Sequence, residues 1–153
     1  MKVIGIDPGA KTGIAIYRNG LLNELATLPP EQIETWVRHV HPALVVYEDS
    51  RRQSAVFSRG TNHRAALKIA RNVGEIDQIC RSIETLCEAL GIECVGVSPR
   101  EKGAKMDAAQ FAHLTGWTRR SNEHQRDAGV VAWRFRHARR ASDDAALNLF
   151  RAE

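Results

Sequence analysis

The spacing of apolar residues along the first thirty positions predicts three short strands in succession. These strands are expected at Lys2 to Asp7, Gly13 to Tyr17 and Leu21 to Leu28. Asn19-Gly20 lies between the second and third strands and is a strong signal for a two-residue hairpin. Pro29-Pro30 ends the third strand, because proline cannot donate a ladder hydrogen bond. The chain is therefore expected to open with an antiparallel meander.

The remaining pattern alternates between helices and strands. Helical spacing is expected at Pro30 to about His41, Thr61 to Leu90, Lys105 to Leu114 and Asn122 to about Arg140. Ala43 to Tyr47 is apolar on both faces, as in a central parallel strand, and Ile92 to Val97 is expected to be the fifth strand. Gly74 interrupts the long helical segment, either as a break or as a point of close packing.

This order predicts an α/β fold, in which helices flank a mixed five-stranded sheet. The sheet combines the three-strand antiparallel meander with two later parallel strands. We expect one domain over residues 1–140 and a short C-terminal helix or tail over residues 141–153, which Ser142 could cap.

Composition agrees with one folded domain and excludes several other classes. Hydrophobic residues make up 43% of the 153 positions and charged residues 26%, which excludes a disordered chain, a collagen-like repeat and a disulfide miniprotein. No apolar run approaches the length of a membrane span, so no membrane association is expected. The apolar run at the N-terminus is also too short for a signal peptide.

The positive charge is concentrated in arginine and in two stretches of the chain. The net charge is only +4, but Ser50 to Gly74 has six basic residues and no acid, and Trp117 to Arg140 has seven arginines against two acids. Arginine forms paired hydrogen bonds with phosphate groups and base edges, so this clustering favours contact with nucleic acid. The expected contacts in these stretches are Arg51, Arg52, Arg59, Arg64, Arg119 and Arg120.

The three cysteines predict a reduced, cytoplasmic protein. Cys80, Cys87 and Cys94 are odd in number and form no CxxC pair, so neither a disulfide framework nor a zinc site is expected. Buried free thiols are typical of proteins from a reducing compartment.

Two acidic residues follow predicted strands directly. Asp7 ends the first strand before Pro8-Gly9, and Glu48 ends the fourth. The two carboxylates converge if these strands are neighbours in the sheet. The simpler alternative is that Asp7 stabilises the turn and that Glu48 is exposed or paired with a cation. Asp49 leaves the second acidic position ambiguous.

His124 and Asp127 lie three positions apart on a predicted helix, so their side chains point within about 60° of each other. Together with the two strand-end acids they would form an oxygen-rich site of the kind that binds Mg²⁺ or Mn²⁺. Two such ions would activate a water and stabilise the leaving oxygen of a phosphodiester. The alternative for this pair is a solvated helix face with capping and ion-pair roles.

Three segments resemble the motifs of RuvC-type Holliday junction resolvases, which are RNase H-like nucleases. VIGIDPGAKTGIAIY is similar to their opening hairpin, VVYEDSRRQ to their second motif and NEHQRDAGVVAW to their C-terminal helix motif. The resemblance extends from Met1 to about His137 and implies the RNase H-like fold. It assigns the catalytic and metal-binding roles to Asp7, Glu48, His124 and Asp127. A weaker likeness in SDDAALNLF makes Asp144 a rival to Asp127.

Further segments resemble the parts of these nucleases that contact DNA and a second subunit. NHRAALKIARNVGEI is similar to the start of their dimer-forming helix, and we expect its apolar face to be divided between the chain's own sheet and a twin. The interface residues expected there are Ile76, Ile79 and Ile83. Phe57 matches the position of an aromatic residue inserted at the junction, while Lys102 and Lys105 match lysines that contact phosphate.

The resemblance implies a homodimeric, Mg²⁺- or Mn²⁺-dependent endonuclease that cleaves branched DNA at Holliday junctions, leaving 5′-phosphate and 3′-hydroxyl ends. An RNase H-like nuclease for structured RNA is the first alternative, and a junction-binding module without catalysis is the second. The shorter loop after Pro99 bears on this choice, because loops select the shape of the substrate. Actin-like and sugar-kinase ATPases share the glycine-rich turn but need a second lobe, which 153 residues are too few to supply.

Overall fold

A computed structural model describes residues 1–52 and 62–138 of the chain. The five strands are β1 (Lys2–Asp7), β2 (Thr12–Arg18), β3 (Leu21–Leu28), β4 (Leu44–Glu48) and β5 (Glu93–Val97). The helices are α1 (Ile33–Val40), α2 (His63–Leu90), α3 (Pro99–Lys102), α4 (Ala108–Thr115) and α5 (Glu123–Ala132). Single 3₁₀ turns occur at Pro30–Gln32, Ser50–Arg52 and Trp133–Phe135.

The sheet has the strand order β3-β2-β1-β4-β5. The β1–β2 and β2–β3 pairs are antiparallel, whereas β4 is parallel to both β1 and β5. Asn19 and Gly20 both have positive φ, as the tight hairpin between β2 and β3 requires. The predicted mixed sheet with an antiparallel meander is confirmed.

Each face of the sheet is covered by helices. Ile4, Ile6 and Tyr47 belong to a core that α1 and α2 complete on one face. Val3, Tyr17 and Val46 belong to a second core, which α5 covers on the other face. Side chains alternate between the two faces along each strand, so neighbouring residues of β4 contact different helices.

Helix α5 lies unusually close to the sheet because two glycines lie beneath it. A Cβ atom at Gly5 would collide with the carbonyl oxygen of Ala128, and one at Gly13 would collide with that of His124. The Tyr17 hydroxyl also donates a 2.7 Å hydrogen bond to the Gly129 carbonyl. These contacts hold α5 against β1 and β2, with His124 of its first turn over Gly13 near the start of β2.

Several predicted boundaries differ from the structure. Helix α2 continues through Gly74, and a Cβ there would meet nothing within 4 Å, so this glycine is neither a break nor a packing point. An exposed glycine costs a helix only about 1 kcal/mol, which a 28-residue helix tolerates. The predicted helix from Asn122 ends at Ala132 and gives way to a 3₁₀ turn.

The segment after β5 contains a one-turn helix, α3, that the apolar spacing does not predict. Ser98 and Glu101 form a reciprocal capping box at its start, with Pro99 in the first turn. The predicted helix from Lys105 begins only at Ala108, because Asp107 caps it. The expected C-terminal helix or tail at 141–153 lies outside the described residues.

All three cysteines are free thiols, as expected, with Cys80 and Cys87 buried and Cys94 half-buried. Within residues 1–52 and 62–138, no helix is both long and apolar enough to cross a membrane.

Candidate active site

The predicted site residues meet in one groove at the carboxyl ends of the central strands. β1 and β4 are adjacent and parallel, so Asp7 and Glu48 end at the same edge of the sheet. Helix α5 brings His124 and Asp127 to this edge, and all four side chains line an open groove of about 1020 Å³. The expectation that the strand-end acids converge with the helix pair therefore agrees with the geometry.

Asp7 contacts His124 directly. The Nδ1 atom of His124 lies 3.1 Å from Oδ2 of Asp7, and 17% of the Asp7 side chain is exposed. Burial raises the pKa of Asp7 to about 6, and the charges of Asp127 and Glu48 also raise it, while the hydrogen bond from His124 and the charge of Lys102 oppose the rise. Burial and the two nearby carboxylates therefore disfavour the ionised form of Asp7 when no cation is bound.

Lys102 lies between the other two acids. Its Nζ atom is 2.7 Å from Oε2 of Glu48 and 3.1 Å from Oδ1 of Asp127, and only 6% of its side chain is exposed. Burial lowers the pKa of Lys102, but the two carboxylates outweigh that effect and raise it above the usual value. The Lys102 side chain is therefore held in its charged ammonium form at neutral pH.

A second lysine lies at the rim of the groove. The Lys105 ammonium pairs with Glu123 and lies 4.0 Å from Oδ2 of Asp127, with 64% of its side chain exposed. The Glu123 carboxylate raises the pKa of Lys105. Lys105 is the more accessible of the two lysines to a phosphate that enters from solvent.

The donor set suits a hard divalent cation. Three carboxylates and one imidazole are ligands of the kind that Mg²⁺ and Mn²⁺ accept, and Oε2 of Glu48 is a buried oxygen next to a cation, the Lys102 ammonium. Over residues 1–52 and 62–138, however, no three His, Cys, Asp or Glu side chains converge as a ready-made metal site. Lys102 separates Glu48 from Asp127, while His124 engages Asp7.

Comparison with known proteins gives a likeness in structure and none in sequence. No family model and no curated protein matches the chain. Thermus thermophilus RuvC solved in complex with a Holliday junction substrate is 17% identical, with a TM-score of 0.58, and the match covers 87% of this chain and 90% of that chain. A second structure of Thermus thermophilus RuvC is 14% identical, with a TM-score of 0.59, and the match covers 87% and 92%.

The chain has the RuvC fold. This confirms the RNase H-like architecture and the RuvC-type resemblance that the three motifs indicated. At these identities the likeness shows the fold alone, so the roles of individual residues stay predictions.

Within this fold, the alternation of β4 separates Glu48 from Asp49. Val46 contacts the α5 side, so Glu48 points to that side too, whereas Tyr47 and Asp49 point toward α2. Asp49 is 4% exposed, pairs with Arg51 and does not line the groove. Strand geometry therefore brings Glu48, and not Asp49, into the groove with Asp7, which is consistent with the choice of Glu48 as the second site acid.

Arg51 is placed differently from the predicted role of a DNA contact. Its guanidinium donates hydrogen bonds to both carboxylate oxygens of Asp49, at 2.8 and 2.9 Å, and contacts Glu84 of α2 and the hydroxyl of Tyr47. These bonds lower the pKa of Asp49 and of Glu84. The charge of Arg51 is therefore neutralised inside the fold. Sequence reasoning missed this, because Glu84 comes from a distant helix.

The other predicted basic contacts are more open. Arg52 is 57% exposed on its side chain and lies 3.6 Å from Asp49, and Arg64 is exposed at the start of α2. The Arg119 guanidinium stacks on the ring of Trp117 at 4.2 Å, and Arg120 is exposed next to it. Phe57, Arg59 and Asp144 lie outside the described residues.

The predicted interface residues on α2 have different environments. Ile83 is 1% exposed and belongs to the chain's own core, so it is not free for a partner. Ile76 and Ile79 are half-buried and line the groove. The exposed apolar residues of α2 are instead Leu67, Ile69 and Val73, each about half exposed. The apolar pattern alone did not show that only the later part of this helix packs on the sheet.

Proposed function

We propose that the protein is a Mg²⁺- or Mn²⁺-dependent endonuclease that cleaves branched DNA, with four-way junctions as the preferred substrate. One observation carries this proposal: Asp7, Glu48, His124 and Asp127 line one groove of a RuvC fold. A structure of this fold has been solved with a Holliday junction substrate, which supports the choice of substrate class.

Asp7, Glu48 and Asp127 would hold the cations, as their donor chemistry favours. When bound, the two ions would activate a water and stabilise the leaving oxygen of the phosphodiester. His124 would orient the Asp7 carboxylate through the contact they already make. Lys102 and Lys105 would neutralise charge on the phosphate as it reacts.

Charge around the groove supports an anionic substrate. Arg64, Lys68 and Arg71 form a basic surface on the first half of α2, which contains no acid before Glu75. Arg119 and Arg120 precede α5, which supplies His124 and Asp127. Basic surfaces that flank an acidic centre fit a polymer whose backbone is held on both sides of the cleaved bond.

A homodimer would match the two-fold symmetry of a four-way junction. Ile69 and Val73 continue the apolar face of α2 that Ile76, Cys80 and Ile83 begin, because these positions recur every three or four residues. The later residues of this face pack on the sheet, whereas Ile69 and Val73 are about half exposed. We assign this exposed continuation to a second copy of the chain.

The decisive experiment incubates synthetic four-way junction, flap, duplex and structured RNA substrates with Mg²⁺ or Mn²⁺. Symmetric nicks on the junction are expected from the wild-type protein, and these should disappear with Asp7→Asn and with Asp127→Asn. Glu31→Gln serves as the control, since Glu31 lines the same groove and this change also removes one negative charge. Equal cleavage by wild type and Asp7→Asn would refute the proposed site.

The two alternatives give different results in the same assay. Cleavage of structured RNA without cleavage of the junction would favour an RNA-processing nuclease. Metal-independent binding of the junction without cleavage at any metal concentration would favour a binding module. The presence of carboxylates at all three mapped positions favours catalysis over both binding alone and a purely structural role.

We further propose that residues 1–140 form the nuclease domain and that the protein acts in the cytoplasm. Free thiols at all three cysteines support a reducing compartment.

A further inference from the structure

The contact of Lys102 with the carboxylates of both Glu48 and Asp127 is the feature of the groove that the proposed function leaves unexplained. A lysine that waits for a phosphate would be expected to face the solvent, as Lys105 does with 64% of its side chain exposed. Lys102 is instead 6% exposed and lies within 3.1 Å of an oxygen of both Glu48 and Asp127. Its ammonium thus occupies the position of a cation between two expected metal ligands.

We propose that the Lys102 ammonium is a built-in counter-ion, which holds the place of a divalent cation between Glu48 and Asp127 and leaves when that cation binds. This inference rests on the proposed metal dependence and assigns a competing residue to the same site.

Electrostatics requires some positive charge at this position. The carboxylates of Asp7, Glu48 and Asp127 lie close enough for their charges to interact, and an uncompensated buried carboxylate is costly. Oε2 of Glu48 is buried, and the Lys102 ammonium 2.7 Å away balances its charge. The lysine therefore keeps the acids together without metal.

Lysine is suited to a reversible role of this kind. Its ammonium is a compact point charge on a flexible four-carbon chain, and it is strongly hydrated once it returns to water. Lys102 is the last residue of the one-turn helix α3 and is followed by Gly103, around which a Cβ would meet nothing within 4 Å. The open groove beside it provides space for the released side chain.

The first test uses the wild-type protein and measures the accessibility of the amine. An N-hydroxysuccinimide acetate label, quantified by mass spectrometry, should modify Lys102 slowly in EDTA and several-fold faster at saturating Mg²⁺ or Mn²⁺. Lys11 and Lys68 are internal references, and their rates should not change. An unchanged or lower rate at Lys102 under conditions where the protein binds metal would overturn the proposal.

The second test compares metal affinities by titration calorimetry. Lys102→Gln should bind Mn²⁺ about tenfold more tightly than wild type, a change that corresponds to the net strength of one charge-assisted contact. Lys102→Arg keeps the charge and should bind within about threefold of wild type, and Lys11→Gln controls for the lost charge. Equal or weaker binding by Lys102→Gln would contradict competition. If that variant fails to fold, the labelling experiment decides.

The results separate this inference from the proposed nuclease. Junction cleavage together with an unchanged labelling rate at Lys102 would refute the counter-ion role of Lys102 and support the proposed nuclease activity. Metal-dependent release of Lys102 without cleavage of any nucleic acid would support the counter-ion role and refute the proposed nuclease activity. Failure of both wild type and Lys102→Gln to bind metal would overturn both.

Discussion

At the residue scale, the negative charge of Asp7 destabilises the folded protein, because this carboxylate is largely buried. The pKa of Asp7 is raised to about 6, and burial is the largest cause. Between about pH 4 and pH 6, Asp7 is therefore protonated in the folded protein but ionised in the unfolded chain. Stability from this group is therefore greatest at low pH and is lost as the pH rises through about 6. A bound cation would reverse this effect.

We predict that Asp7→Asn raises the free energy of unfolding by about 1–3 kcal/mol at pH 8 in EDTA, because the amide carries no charge to bury. The gain should shrink as the pH falls from 6 toward 4, where wild-type Asp7 is protonated. Urea unfolding at several pH values measures it. A gain that is independent of pH, or a loss at pH 8, would contradict this account.

Gly13 shows how a residue without a side chain positions the site. A methyl group there would meet the backbone of His124, because α5 packs directly on β2. We predict that Gly13→Ala lowers the free energy of unfolding by about 1–3 kcal/mol and reduces junction cleavage more than tenfold.

Gly9→Ala is the matched control for this change. Gly9 lies in the turn between β1 and β2, and a Cβ there meets only the Lys11 carbonyl oxygen at an ordinary 3.7 Å. Unfolding should change by less than about 0.5 kcal/mol. Similar losses in both variants would show that the helix contact is not the cause.

At the scale of elements, the strands are predicted far better than what lies between them. The bounds of β1 and β3 agree with the sequence pattern, because alternation and turn residues are local signals. Convergence of Asp7 and Glu48 followed once β1 and β4 were taken as neighbours. The one-turn helix α3 and the Lys102 contacts depend on tertiary neighbours, which no local spacing records.

The end of β4 joins this strand to α2 through Arg51. Removing its side chain would leave Asp49, which is 4% exposed, without its main partner. We predict that Arg51→Gln lowers the free energy of unfolding by about 1–3 kcal/mol, as measured in urea.

Arg52→Gln is the comparison variant for this prediction. Arg52 is largely exposed and lies 3.6 Å from the same carboxylate, so its loss should cost less than about 0.5 kcal/mol. If Arg51 serves DNA instead, both variants would keep wild-type stability and weaken junction binding alike.

At the scale of the whole molecule, the apolar face of α2 is divided lengthwise: its later part packs on the sheet and its earlier part is exposed. Its later residues contact the sheet, whereas Ile69 and Val73 extend past that contact. A double change, Ile69→Glu with Val73→Glu, should abolish the proposed homodimer, so that this variant sediments as a monomer.

Leu67→Glu provides the control, because Leu67 is equally exposed but lies on the opposite side of α2, near Arg64 and Lys68. The dimer should persist in this variant. Dissociation by Leu67→Glu, with persistence in the double variant, would place the contact on the other face.

The length of α2 has a consequence for where two cuts would fall. Its 28 residues extend about 42 Å, whereas five strands span only about 19 Å. In a dimer joined through the first turns of this helix, the length of the helix would set the distance between the two grooves. The distance between paired nicks would then be set by the number of helical turns, and an inserted turn would change it without altering either site.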